Sequence, residues 1–251
     1  MEMNGLKEEF EKRGFVSIDG LIPNDELPKL QLIYDDFLSG KFDLTGLRGD
    51  LSGDDSKHKK VEKITQIMRP SLVMPSLQQT ETYRRVVEMA QDWLGDDMEI
   101  DFDMMIDKAP GTAAETPWHQ DAAYWPEMPD TRAVSFWIAL DDADKSNGCM
   151  MYIGGSHRQP LREHTQPVTN AALQCKLTSE DVVTHGEITA CSAIAHHGYT
   201  LHGALGNHSE NRHRRALIVN LRPESMIRFI RAKGYDHLGK REVKNSEEYS
   251  K

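Results

Sequence analysis

Hydrophobic residues in the first hundred positions recur with a helical period. Leu30, Ile33, Tyr34, Phe37 and Leu38 follow the i, i+3, i+4, i+7, i+8 spacing that lines one helix face, with Asn24 as an N-cap and Gly40 as a stop. This predicts a helix over residues 24–39. A second apolar stripe, Tyr83, Val86, Val87, Ala90 and Leu94, ends at Gly95 and follows Ser76 and Gln79, which have capping-box spacing. It predicts a helix over 76–94. From about residue 98 the pattern changes to short strand-like runs, expected over 98–107, 133–140, 149–153, 187–194 and 215–222. Asn147-Gly148 marks a turn between two of them.

Strands behind a helical section, without regular helical crossovers, point to a mainly β fold with supporting helices, a sandwich or jelly roll and not a doubly wound parallel sheet. A chain of 251 residues suits one domain. Within it, 1–97 reads as helical support and entrance region, 98–222 as the β core and 236–251 as a polar tail. Residues 48–61, RGDLSGDDSKHKKV, are rich in Gly, Ser and charge and are expected to form a surface loop.

Charge and cysteine usage narrow the function classes. A formal net charge of −10 argues against general electrostatic binding to nucleic acid or to an anionic membrane. No apolar run approaches the roughly 18 residues of a membrane span. The first twenty residues carry Lys7, Glu8, Glu9, Glu11, Lys12 and Arg13, so no secretory signal is expected there. Cys149, Cys175 and Cys191 are odd in number and form no CxxC, which argues against a disulfide framework or a thiolate zinc site and favours a cytoplasmic location.

The chemistry concentrates in Thr116–Trp125, TPWHQDAAYW. If this run is a strand, His119 and Asp121 point to one face and can share a metal ion. An imidazole and a carboxylate are two of the three ligands of the facial triad that holds non-haem Fe(II). A third ligand must then come from downstream. His157, His164 and His185 lie in turn-like or polar stretches and read as surface residues. His196, His197 and His202 flank an expected strand end and precede Arg212, Arg214 and Arg215. An arginine beside the metal can grip a carboxylate bidentately, as a dicarboxylate cosubstrate would need. A zinc hydrolase built on His, Asp and His would not need that arginine. A serine hydrolase is disfavoured because Gly154-Gly155-Ser156-His157-Arg158 lacks the last glycine of the nucleophile elbow. A noncatalytic binding module on the same scaffold stays open.

Three segments taken together, TPWHQD, AVSFWIALDDADKSNGCMMYIGGSH and TLHGALGNHSENRHRRALIVN, resemble the phytanoyl-CoA dioxygenase family of Fe(II)- and 2-oxoglutarate-dependent oxygenases. The resemblance covers residues 98–222. It implies a double-stranded β-helix, or cupin-like jelly-roll, core, and a reaction using Fe(II), 2-oxoglutarate and O2 on a small-molecule substrate. His119, Asp121 and His202 match the iron ligands, and Asn207 matches an asparagine five residues beyond the last of them. Arg214 matches the residue that pairs with the far carboxylate of 2-oxoglutarate, with Arg212 and Arg215 as alternatives because the spacing from His202 is about one residue longer than in the member that aligns most readily. Trp137 matches a tryptophan lining the cosubstrate pocket. Tyr124, Trp125 and Tyr199 are candidate substrate contacts. Ala204 stands where many members have a serine that binds the cosubstrate carboxylate. The carboxylate Asp121 favours hydroxylation over halogenation, since halogenating relatives have a small residue there. Desaturation and ring closure begin with the same hydrogen abstraction. No motif specifies the prime substrate or the oligomeric state.

Overall fold

Residues on the central strands are buried on both sides, against two different interiors. The computed structural model describes residues 3–52, 62–166 and 172–238. Its elements run α1 (Met3–Arg13), β1 (Phe15–Ile18), α2 (Leu27–Leu38), β2 (Arg48–Asp50), β3 (Ile64–Met68), α3 (Pro70–Val73), α4 (Glu81–Leu94), β4 (Met98–Lys108), β5 (Thr116–His119), β6 (Val134–Ala139), β7 (Met150–Ile153), β8 (Val183–Gly186), β9 (Ala193–His197), β10 (His202–Ala204), β11 (Arg214–Pro223) and α5 (Glu224–Ala232). The strands form a seven-stranded sheet, β1-β9-β6-β11-β4-β3-β2, and a four-stranded sheet, β5-β10-β7-β8. Every strand pairing among the described residues is antiparallel, as the jelly-roll reading requires.

Strand parity separates the two interiors. Phe136 and Ile138 of β6 join Leu217, Val219 and Leu221 of β11 in a core with Phe10, Tyr34, Phe37, Tyr83 and Trp93 of the helices. Trp137 and Ala139 join Ala216 and Ile218 in a second core with Ile194 of the neighbouring β9 and Tyr152 of β7 in the four-stranded sheet. Full burial of such a side chain is worth about 1.5–3 kcal/mol. A one-residue slip of β11 would exchange the two sets, so its register is strongly fixed. That register pairs Asn220 with Ser135 and Ile218 with Trp137.

Several boundaries differ from the expected ones, each for a tertiary reason. α2 starts at Leu27, with Pro28 in its first turn, and Asn24 does not cap it. Ser76 and Gln79 lie in a separate 3-10 turn, and α4 begins after Thr80, whose hydroxyl accepts from the Tyr83 N–H. Its first N–H groups are met from far away in sequence: Glu26 accepts from the backbone of Glu81 and Thr82 at 2.9 Å each and from the Thr82 hydroxyl. The expected strand over 187–194 is replaced by β8 and β9, which belong to different sheets, and Cys191 bends the chain between them at φ 70°. Asn147-Gly148 does make a turn, with Gly148 at φ 98°, but it carries the chain from one sheet to the other. The N-terminal section contributes β1, β2 and β3 as well as helices. Of the expected 48–61 loop, Arg48–Asp50 forms the edge strand β2, and 53–61 lie outside the described residues, as does the tail beyond residue 238.

Candidate active site

β5 and β10 are neighbours, and their register sets His202 opposite His119. β5 ends at His119, and Asp121 opens a 3-10 turn, Asp121–Tyr124, so strand pairing alone does not orient the pair. Gln120 between them is extended, φ −122° and ψ 130°, which still projects both side chains to one side. Gln120 itself is bound on the other side. Its Nε2 donates to the Tyr199 carbonyl at 2.8 Å, its Oε1 accepts from the Arg162 N–H at 2.9 Å, and its backbone N–H donates to His164 Nε2 at 3.0 Å. His164, expected at the surface, is therefore a buried acceptor holding the backbone of the His-x-Asp segment.

The ligand atoms of His119, Asp121 and His202 lie within 4.8 Å of one another, a group of the kind that holds a metal ion. Each imidazole is oriented from behind. His119 Nδ1–H donates to the Pro117 carbonyl at 2.7 Å and His202 Nδ1–H to the Thr200 carbonyl at 2.9 Å. Both Nε2 lone pairs then face Asp121 Oδ1, at 3.8 and 3.6 Å. The other carboxylate oxygen, Oδ2, is taken up by the Ser135 hydroxyl at 3.1 Å and by His196 Nε2 at 3.3 Å. Ser135 also meets Asn220, directly across on β11. Burial by itself would raise the Asp121 carboxyl, but His202, His196 and His119 more than reverse this and hold it well below the usual carboxylate range. Burial pulls His202 well below an ordinary histidine, which keeps its nitrogen free to ligate.

Ser135, Asn220 and Gln120 were not singled out from sequence. Ser135 shares strand parity with Trp137, and Asn220 with Arg214, and that parity was the available signal. His196, weighed as a third ligand, is beside the group and faces Asp121 Oδ2, away from the oxygen that His119 and His202 approach. His197 is packed by Phe10 and His157 instead.

The three arginines separate cleanly. Arg214 has the inward parity of Ala216, Ile218 and Asn220, is 1% exposed, and lies 5.1 Å over the Trp137 ring. Its Nε and Nη1 have no hydrogen-bond partner among the described residues. Burial pulls it down to about 10. Arg215 faces the other way into Asp141 and Asp35, at 2.7 and 2.6 Å, and Arg212 pairs with Asp144 at 2.8 Å. Asn207 does not reach the metal group; its amide ties the Lys108 and Arg212 carbonyls together at 2.8 and 2.7 Å.

One cavity of about 200 Å³ contains both the His119, Asp121, His202 group and Arg214. Tyr124 and Trp125 line it, Tyr124 lying edge-on to His119 at 5.8 Å. Tyr199 instead lines an adjacent cavity, on the far side of Trp125. Two imidazole nitrogens and a carboxylate oxygen suit a first-row divalent metal such as Fe(II). A buried guanidinium with unmatched N–H groups suits a carboxylate.

Comparison with known proteins agrees with this geometry. The family model described as phytanoyl-CoA dioxygenase matches residues 10–216. A probable phytanoyl-CoA dioxygenase of Caenorhabditis elegans is 24% identical over 241 residues, covering 90% of this chain and 77% of that one. A probable alpha-ketoglutarate-dependent hypophosphite dioxygenase of Stutzerimonas stutzeri is 25% identical over 221 residues, covering 84% and 75%. The crystal structure of EvdO2 from Micromonospora carbonacea var. aurantiaca superposes with a TM-score of 0.73 at 26% identity, covering 86% of this chain and 88% of that one. That protein has also been solved in complex with 2-oxoglutarate, with a TM-score of 0.70.

Proposed function

The chain belongs to the phytanoyl-CoA dioxygenase family and is an Fe(II)- and 2-oxoglutarate-dependent oxygenase, and from that premise we propose that it hydroxylates an unactivated C–H bond of a small molecule. The carrying observation is that the His119, Asp121, His202 group and the unmatched N–H groups of Arg214 share one cavity. In this reading His119 Nε2, Asp121 Oδ1 and His202 Nε2 hold the iron. Arg214 takes the far carboxylate of 2-oxoglutarate while Trp137 fixes the guanidinium plane. When bound, iron, 2-oxoglutarate and dioxygen supply an oxidative decarboxylation to succinate and carbon dioxide that makes a C–H bond attackable. The chain's own work is positional: Ser135 and His196 keep one carboxylate oxygen of Asp121 occupied, so that the other is presented singly. Tyr124 and Trp125 border the substrate and exclude water, and Tyr199 supports Trp125 from behind.

A cavity of about 200 Å³ that must also admit the cosubstrate favours a small substrate or the reactive end of a longer one. The relative named for hypophosphite is consistent with a small substrate. The Asp121 carboxylate, kept ionised by its surroundings, favours hydroxylation over halide binding. We assign the activity to one domain spanning the chain and a cytosolic location, supported by three unpaired cysteines and by the lack, among the described residues, of any helix long and apolar enough to cross a membrane. The net charge of −10 argues against nucleic-acid or anionic-lipid partners. Anaerobic addition of Fe(II) and 2-oxoglutarate is expected to give the weak visible charge-transfer band of a chelated 2-oxo acid, and His119→Ala to abolish it. Absence of the band from folded wild-type protein would refute the assignment.

A further inference from the structure

We propose that the Thr116 hydroxyl is a second donor to the far carboxylate of 2-oxoglutarate, making the contact that Ala204 cannot; this rests on reading the Arg214 end of the cavity as the carboxylate pocket. The placement comes from a bulge. Between the pairs His202↔His119 and Ala204↔Thr116, β10 advances two residues and β5 advances three. In a regular strand, residues three apart face opposite sides. The extra residue returns Thr116 to the side of His119, and Thr116 lines the cavity together with Ala204 and Met150, its neighbours in the row across β5, β10 and β7. Of these three side chains only that of Thr116 carries a donor. Its hydroxyl makes no hydrogen bond to another described residue.

The backbone around Thr116 is built to stay where it is. Gly203 lets the two strands pass closely, since a Cβ there would meet the Thr116 carbonyl at 2.9 Å. Lys108, fully buried and paired in register with Arg214, donates to the carbonyls of Ala114 at 2.9 Å and Leu205 at 2.7 Å. This ties the segment before β5 to the end of β10. A carboxylate has about four acceptor sites, and a guanidinium fork fills about two. Thr116 supplies a donor for one of the others.

The test is an anaerobic titration of the Fe(II) protein with 2-oxoglutarate, read by the charge-transfer band. Thr116→Val keeps the β-branched shape and removes the hydroxyl; the dissociation constant is expected to rise between about tenfold and a hundredfold, the scale of one hydrogen bond to a charged group. Thr116→Ser keeps the hydroxyl and is expected to stay within about threefold of wild type. Adding Ala204→Ser to Thr116→Val is expected to recover most of the loss. 2-Oxopentanoate, which has no far carboxylate, is expected to bind wild type and Thr116→Val alike. An unchanged 2-oxoglutarate constant in folded Thr116→Val overturns the proposal, as does an equal weakening of both oxo acids, which would place the effect at the metal end. Failure of wild type to bind 2-oxoglutarate at all overturns the functional reading itself, and this proposal with it.

Discussion

Arg214 stands out among single residues because its position costs the folded chain something. Its side chain is buried, two of its nitrogens are unmatched among the described residues, and burial pulls it down to about 10. Leaving a buried cation incompletely paired is unfavourable unless a ligand completes it. Arg214→Met is therefore expected to raise the stability of the ligand-free protein by about 1–3 kcal/mol while weakening 2-oxoglutarate binding by more than about a hundredfold. Arg215→Ala, which removes a partly exposed pair with Asp141 and Asp35, is expected to leave 2-oxoglutarate binding within a few-fold of wild type. Urea unfolding and anaerobic titration of the two variants check both halves. If the two arginines behaved in the opposite order, the cosubstrate contact would move to Arg215.

Elements in this fold depend on one another for their ends. α4 begins beside a carboxylate that belongs to the residue preceding α2: Glu26 accepts from the Glu81 and Thr82 N–H groups at 2.9 Å each. An acidic group there satisfies orphan donors and meets the positive end of the helix dipole. Glu26→Ala is expected to cost about 1–2 kcal/mol, with a smaller loss for Glu26→Gln, measured by urea unfolding; the iron and cosubstrate affinities should stay unchanged. The same distance in sequence explains why the start of α4 was expected at Ser76. Ser76 and Gln79 have the local spacing of a cap, but the cap that forms combines the Thr80 hydroxyl with the Glu26 carboxylate, which comes from more than fifty residues away. The run 187–194 misled for a related reason. Of its apolar residues only Ala193 and Ile194 lie in a strand, β9; Ile188 makes an isolated bridge to Ala143, and a bend at Cys191 that local spacing does not announce separates the two parts.

At the scale of the whole molecule, buried neutral histidines tie stability to pH. His197 is pulled from its usual 6.5 to about 4, first by burial and then by neighbouring His157 and His196, and its Nδ1 accepts from the Tyr199 N–H at 3.1 Å. As pH falls through 6.5 the unfolded chain takes up a proton that the folded protein refuses until about 4. The contribution to stability is thus complete above 6.5 and is lost between 6.5 and 4, by at most about 3 kcal/mol. His197→Asn keeps an acceptor and removes the titration; the acid limb of its stability curve, measured by urea unfolding of metal-free protein, should be shallower than that of wild type by about that amount. An identical acid limb would show that the site is already protonated in the folded state.

Sequence by itself determined the parts of this protein that depend on near neighbours. The helical stripe ending at Leu38 and the strand-like character beyond residue 98 are set by local periodicity, the His-x-Asp spacing places His119 and Asp121 on one side because Gln120 between them is extended, and the order of the motifs pointed to His202 and Arg214. Periodicity also stated that Arg214 and Arg215 must face opposite ways, because adjacent strand residues do. Which of them faces inward was decided by the tertiary structure, where the hydrophobic parity of β11 commits Leu217 and Val219 to the helical side and so turns Arg214 into the cavity. The bulge that brings Thr116 beside Ala204, the Ser135 and Asn220 pair behind Asp121, and the Glu26 cap on α4 belong to the same class. Each depends on a register or contact between segments distant in the chain, and such contacts leave no period in the sequence to read.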